Sequence, residues 1–344
     1  MFVQRSKLLF LYISVICLGI FVTILTYASI AGDKPDCQSV FPHDVPLQDL
    51  DSRQQELDRK LSQLRDLEVT LRRSYPQKVA AIEQIVDDRH VPTIYVITPT
   101  YARTVQKAEL TRLSYTFLHV PKLHWILVED SPTKTALVSQ FLSRCGLTYT
   151  HLNVATPPVF KTKSADPHWL KPRGVLQRNL GLEWLREHLH ADTANGVVYF
   201  ADDDNTYDIQ LFEEMRYTKR VSVWPVGLSG YLRYESPVVT NGHVTSWFTY
   251  FRPDRAFATD MAGFSINVRL LLDRPEAVFK NTVRRGHLET NLLSAITTMG
   301  ELEPKAHNCT KVLVWHTRTE KADLRNEDKF KKRGFPGSNP DIEV

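Results

Sequence analysis

The chain has 344 residues, 42% of them hydrophobic, enough to bury a large core and to carry appendages besides. Forty-three basic against 39 acidic residues leave a formal charge of +4, a balance that excludes the strongly basic footprint of a nucleic-acid binder and leaves an acidic substrate open. Four cysteines are too few for a disulfide scaffold and too scattered for a structural zinc site.

From Leu8 to Ala31 the chain carries no charge and is long enough to cross a bilayer as a helix. A cleaved signal peptide would have a shorter apolar region ending in small residues. Arg5 and Lys7 precede the run, so the positive-inside rule predicts a single-pass type II anchor with residues 1–7 in the cytosol and everything beyond residue 31 in a lumen. Residues 32–91 read as a stem. Its first part holds Pro35, Pro42 and Pro46, and then Leu50, Leu57, Leu64 and Leu71 recur every seven residues. Leu47 and Leu61 fill the companion register while Gln54 and Glu68 interrupt it, the pattern of a short coiled coil or of a solvated helix. Cys37 would be able to bridge two chains in an oxidising lumen, and a homodimer is expected.

Near Pro92 the pattern changes to short apolar runs separated by helical segments, which opens a lumenal domain over 92–344. Strands are predicted at Thr93–Thr98, in "LHWILVED" ending at Asp130, and in "LTYTHLNV"; helices are predicted over Thr104–Leu118, Thr133–Cys145 and Val175–His188. A fourth strand, "VVYFA", follows. This alternation predicts an α/β domain: a Rossmann-like, mostly parallel sheet with helices on both faces. The glycine-rich phosphate cradles G-x-G-x-x-G and G-x-x-x-x-G-K-[ST] are absent, so a nucleotide would be held by other means.

Asp202, Asp203 and Asp204 stand side by side where the fourth strand ends, and each raises the cost of ionising the others. Such a run either caps a strand as a solvated turn or gathers oxygen ligands for Mg²⁺ or Mn²⁺. Its place at a strand's carboxyl end favours the metal, because ligands of open α/β sheets bind there. The ends of strands one and two add "TPTYAR", with an aromatic face at Tyr101 and a cation at Arg103, and the carboxylate of Asp130. A base would stack on Tyr101 while Asp130 accepts its ring N–H. Arg173 and Arg178 flank the start of a helix, where they serve either surface salt bridges or phosphate oxygens. Glu289 in "RGHLETNLL" stands early in a helix, as a dipole partner or as something chemical. His316 and Arg318 follow an apolar strand at i and i+2, a pairing expected to share one face and to meet an anion.

Six segments in order, "TPTYAR", "LVEDS", "PRGVLQRN", "FADDDNTYD", "DMAGF" and "VLVWHTRTEK", resemble the β1,3-glucuronosyltransferases of glycosyltransferase family 43. The likeness runs from about Thr93 to the C-terminus. It implies a GT-A-type fold with a UDP-binding half (92–205) and an acceptor-binding half (206–344), in the Golgi lumen. It implies UDP-glucuronate as donor, Mn²⁺ as cofactor and a terminal β-galactose as acceptor, with inversion at the anomeric carbon. By the same resemblance Asp204 would ligate the metal, Asp203 hold the ribose and Asp202 lie toward the donor sugar. Pro99, Thr100, Tyr101 and Arg103 would line the donor side, with Tyr101 and Asp130 on the uracil. Arg173, Arg178, His316 and Arg318 would share the diphosphate and the glucuronate. Glu289 would be the catalytic base, with Glu235, Arg255 and Asp260 contacting the acceptor. Phe251 either packs in the core or lays its ring on a sugar. The acceptor would be the galactosyl-galactose linkage region of proteoglycans or an N-acetyllactosamine-type end. Two rivals stand beside this reading: a GT-A transferase for another UDP-sugar, and a non-catalytic membrane-anchored scaffold. Asn308-Cys309-Thr310 is a glycosylation sequon usable only in a lumen, and the pairing of Cys145 with Cys309 is open.

Overall fold

A computed structural model describes residues 53, 55–63, 66, 91–161, 171–320, 322–334 and 338. The chain divides into two compact units, Met1–Val86 and Asp87–Val344. In the first, residues 55–63 are helical; Leu57 and Leu61, one helical turn apart, are both exposed, and Lys60 pairs with Glu56 at 2.7 Å. The apolar run Leu8–Ala31 and most of the heptad leucines lie outside the described residues, and among those described no helix is long and apolar enough to cross a membrane.

The second unit begins as the alternation predicts. It runs β1 (Thr93–Thr100), α1 (Gln106–Phe117), β2 (Leu123–Glu129), α2 (Ala136–Arg144), β3 (Thr148–Asn153), α3 (Val175–His188) and β4 (Gly196–Phe200). These four strands pair in parallel, in the order β4-β1-β2-β3. Period-2 alternation splits their side chains between two cores. Ile94, Val96, Trp125, Leu127, Val197 and Tyr199 face α1 and α2, whereas Ile97, Ile126, Val128, Val198 and Phe200 face α3. Both faces of the sheet are therefore dry.

The boundaries shift where side chains compete for the backbone. β1 runs two residues past the predicted Thr98, because Pro99 and Thr100 stay in register with Val128 and Glu129. α2 starts later than Thr133, since Glu129 binds the amide of Thr135 (3.0 Å) and its hydroxyl (2.7 Å), fixing Thr135 as the N-cap.

Beyond β4 the elements are short: β5 (Thr206–Tyr207), α4 (Ile209–Arg216), β6 (Val221–Val223), β7 (Val226–Gly227), β8 (Tyr234–Thr240), β9 (His243–Phe248), β10 (Phe264–Asn267), α5 (Val268–Leu272), α6 (Leu288–Leu293), β11 (Leu302–Pro304) and β12 (Val314–Trp315). The first sheet has seven strands, β11-β6-β10-β4-β1-β2-β3, with β10 antiparallel to both of its neighbours; the second has five, β5-β12-β7-β8-β9. Strands from both sides of residue 206 thus share the larger sheet. The carboxyl ends of β1, β2 and β4 and the second sheet supply the residues of the site.

Candidate active site

Ala201 is fully buried, and the three aspartates emerge directly after it. Two of them are neutralised by the protein itself. Asp202 receives Arg178 Nη2 at 2.5 Å, and Asp203 receives Arg103 through both guanidinium nitrogens (2.7 and 2.8 Å) and the Thr100 hydroxyl (2.7 Å). Asp204 differs. Among the described residues nothing donates to its carboxylate, while its backbone carbonyl is fixed by Arg112 Nη2 (2.9 Å) and Thr317 Oγ1 (2.6 Å). Burial, then the charges of Asp202 and Asp203, push the Asp204 carboxyl up to about 6, with Arg103 and His316 opposing. Arginines thus serve Asp202 and Asp203, and Asp204, the residue expected to ligate a metal, is the one left without a countercharge of its own among the described residues.

Asp204 suits a hard divalent cation. The neighbouring Asn205 is buried with no aligned hydrogen-bond partner for either amide atom among the described residues. Among the described residues no group of three or more His, Cys, Asp or Glu side chains is placed to hold a metal. The protein therefore offers one carboxylate and an orphaned amide, the kind of partial shell that metals of phosphate-handling sites complete with the substrate's own oxygens.

On the β1 and β2 side, Tyr101 is 48% exposed and the Arg103 guanidinium lies 4.7 Å from its ring centroid. Thr100 and Arg103, expected on the donor side, both bond Asp203; Thr100 is buried and Pro99 half-buried beside it. Asp130 sits just past β2 and accepts from the Thr156 amide (2.7 Å), with Lys161 Nζ at 4.0 Å. Behind it lies Glu129, 2% exposed, against His151 Nε2 (2.5 Å). Burial would raise the Glu129 carboxyl, but His151 and Thr135 hold it below its ordinary range.

At the start of α3 the two arginines part. Arg178 is buried, reaching Asp202 and the carbonyl of Arg173 (2.9 Å), while Arg173 is exposed. Gly174 between them has φ +69°, and a Cβ there would lie 2.6 Å from Arg178 Nη1. Only glycine fits both demands.

The second sheet carries further residues of the site. Glu235 on β8 is buried and takes hydrogen bonds from Ser229 Oγ (2.7 Å) and Thr249 Oγ1; Ser229 also touches Asp260 (3.2 Å). His316 Nδ1 lies 3.2 Å from Asp260 Oδ2, as an ion pair without hydrogen-bond alignment. His316 thus already has one anion beside it within the protein, Asp260. That carboxylate raises His316 to about 9, while Arg318, also expected inward, is exposed. Arg255 is buried with its nitrogens on the carbonyls of Arg252 (3.2 Å), Gly286 (2.9 Å) and Phe251 (3.0 Å), so it ties two loops together. Phe251 is half-buried against Gly286, where a Cβ would lie 2.5 Å from the ring. Glu289, in the first turn of α6, is half-buried. Burial pushes its carboxyl up to about 7; its own amide opposes this, Asp260 adds to it, and Arg255 and Arg178 oppose it. A half-buried carboxyl poised near neutrality is suited to take a proton.

Residues 113–320 match the family model of glycosyltransferase family 43. The chain belongs to that family. It is 56% identical over 270 residues (76% of this chain, 82% of the relative) to galactosylgalactosylxylosylprotein 3-beta-glucuronosyltransferase 2 of Rattus norvegicus. It is also 50% identical over 330 residues (93% of this chain, 94% of the relative) to galactosylgalactosylxylosylprotein 3-beta-glucuronosyltransferase 3 of Homo sapiens. Over 259 residues (74% and 75%) it is 56% identical to galactosylgalactosylxylosylprotein 3-beta-glucuronosyltransferase 1 of Rattus norvegicus. The family 43 chain is accordingly a glycosyltransferase, and the resemblance carried by the six segments holds.

Sequence reading missed Arg112, Thr317, Ser229, Thr249 and Gly174, whose roles come from where the fold brings them. Only Gly174 left a trace, a glycine placed between two arginines at a helix start. Cys145 and Cys309 are both free, so they do not pair with each other; burial pushes the Cys309 thiol up to about 12. Cys37 lies outside the described residues. Asn308 is exposed, in a left-handed turn with φ of +55°.

Proposed function

We propose that the family 43 chain transfers glucuronic acid from UDP-glucuronate to O3 of a terminal β-galactose, with inversion, in a single displacement. The observation that carries this is Glu289, a half-buried carboxyl that burial pushes up to about 7 and that feels Asp260 and the Arg178 bonded to Asp202. The named specificity of the relatives supports donor and acceptor. Glu289 takes the proton of galactose O3 as that oxygen attacks C1, and UDP departs from the opposite face. Glu235 and Asp260 bind the acceptor hydroxyls, oriented by Ser229 and Thr249. Tyr101 and Asp130 hold the uracil, and Arg178, with Arg173 and Arg318, faces the donor's anionic groups. Asp204 and the donor's diphosphate would hold Mn²⁺, which when bound supplies charge stabilisation to the leaving group and makes a second protonating carboxyl unnecessary.

The apolar run Leu8–Ala31 supports a type II anchor with the catalytic domain in the Golgi lumen, and the leucine heptads with Cys37 support a homodimer. The names of the relatives favour the linkage-region acceptor over the N-acetyllactosamine type.

The test is a transfer assay on the full-length chain with a panel of UDP-sugars and both acceptor classes, with and without Mn²⁺. UDP-glucuronate with a galactose acceptor is expected to dominate, with kcat rising through an ionisation near pH 7 as Glu289 loses its proton. Preference for another UDP-sugar, or turnover indifferent to pH between 5 and 9, contradicts the reading.

A further inference from the structure

Glu109, in the first turn of α1, is 4% exposed and stands outside the proposed reaction. A carboxylate is almost never buried so deeply unless donors answer it. Two do: Arg112 Nη2, one helical turn on, binds Glu109 Oε2, and Thr319 Oγ1, 210 residues away in sequence, donates to Glu109 Oε1. The same Arg112 nitrogen also donates to the backbone carbonyl of Asp204 (2.9 Å), so one guanidinium joins Glu109 to the residue read as the metal ligand. Gln106, a turn before Glu109 and also buried, donates to Thr100 Oγ1 (3.1 Å), whose hydroxyl donates to Asp203 (2.7 Å). Gln106, Glu109 and Arg112 recur at i, i+3 and i+6, the spacing that makes successive side chains neighbours on a helix. α1 therefore carries a polar stripe whose ends reach Asp203, through Thr100, and Asp204.

The segment after β12 meets this stripe with alternating contacts. Thr317 Oγ1 donates to the Asp204 carbonyl (2.6 Å) and lies 3.1 Å from the Thr206 hydroxyl, and Thr319 takes Glu109. His316 turns instead to Asp260, and the exposed Arg318 stands between the two threonines. The residues read as facing the donor are thus strung between two hydroxyl anchors. One anchor grips the aspartate turn directly, and the other grips it through Glu109 and Arg112.

Resting on the glucuronosyl-transfer reading, we propose that Glu109 is a positioning residue. Through Arg112 and Thr319 it latches residues 315–320 to the Asp204 turn, and so holds that segment ready for a nucleoside diphosphate bound with its divalent cation. A Glu109 that served α1 alone would need only its place near the helix start, where a negative charge is favoured; its bond to Thr319 adds nothing to that helix.

The test uses the full-length chain with Thr319→Val, which keeps the shape and removes the hydroxyl at an exposed position, Thr319→Ser, which restores the hydroxyl, Glu109→Gln, and Glu109→Gln combined with Thr319→Val. Calorimetry reads UDP binding with and without Mn²⁺, and amide hydrogen exchange reads residues 315–320 with no ligand added. Thr319→Val is expected to weaken Mn²⁺-dependent UDP binding about tenfold, the size of one charge-assisted hydrogen bond. Exchange over 315–320 should quicken while the melting temperature stays the same. Donor KM should rise by a similar factor and acceptor KM stay native. Thr319→Ser should recover the native values. The combined variant should lose little more than the worse of its two components, because both cut the same latch. If Glu109→Gln fails to fold, the two threonine variants decide. Native UDP binding or unchanged exchange in Thr319→Val, a loss that Thr319→Ser does not recover, or donor and acceptor KM rising alike overturns the latch. A native chain that binds UDP with Mn²⁺ and transfers no glucuronate overturns the proposed reaction, while the binding and exchange comparisons still decide the latch; a native chain that binds no UDP overturns both.

Discussion

The site assigns opposite protonation behaviour to two carboxylates that feel each other's charge, and environment alone separates them. Asp260 is half-buried, yet His316 holds its carboxyl below the ordinary range against the cost of burial, whereas Glu289 has no comparable partner and burial pushes it up to about 7. His316, raised from 6.5 to about 9, is bound more tightly as a cation in the folded state than in the unfolded one. Its contribution to stability is therefore full below about pH 6.5 and lost as pH climbs through about 9. His316→Gln should lower the melting temperature clearly at pH 6 and much less at pH 9.5; an equal loss at both values would remove Asp260 as its partner. Glu289 follows the same pH direction, but as a penalty on its charged form. Its raised pKa costs the folded state nothing below about pH 4.5 and most above about pH 7, so Glu289→Gln is expected to raise the melting temperature at pH 8 and to change it much less at pH 5. Calorimetry at the two values reads this, and a loss of stability at pH 8 would contradict it.

At the scale of elements, the first half of the domain was legible and the second was not, for a physical reason. β1, β2 and β4 are covered on both faces, so their burial is written into the chain as runs such as "IYVIT" and "VVYFA". β5, β6, β7 and β12 are two or three residues long and owe their conformation to neighbours distant in sequence, which leaves no periodicity to read. The same holds for the site. Asp202–Asp204 were visible because adjacent charges are conspicuous, whereas Arg112 and Thr317, which fix the carbonyl of Asp204, look like any surface arginine and threonine. The loop into α3 combines both kinds. Gly174→Ala would place a side chain in a left-handed backbone and 2.6 Å from Arg178 Nη1. It should cost about 1–3 kcal/mol of stability and raise the donor KM more than the acceptor KM, as Arg178 leaves Asp202. Chemical denaturation with donor kinetics checks this, and unchanged values for both would show the glycine to be incidental.

Across the whole domain, the larger sheet contributes the aspartates, Tyr101 and Asp130 at its strand ends, and the smaller sheet contributes Glu235 and His316. The site residues thereby come from separately built sheets, with Arg178 and Asp260 both felt at Glu289. This division of labour predicts that binding and proton transfer are separable. The decisive measurement follows Mn²⁺-dependent UDP binding and glucuronate transfer side by side in the native chain, Asp204→Asn and Glu289→Gln. Glu289→Gln is expected to bind Mn²⁺ and UDP as the native chain does while turnover falls roughly 10²–10⁴-fold, and Asp204→Asn to lose the metal-dependent part of UDP binding. Near-native turnover in Glu289→Gln, or undiminished metal-dependent binding in Asp204→Asn, would contradict the account.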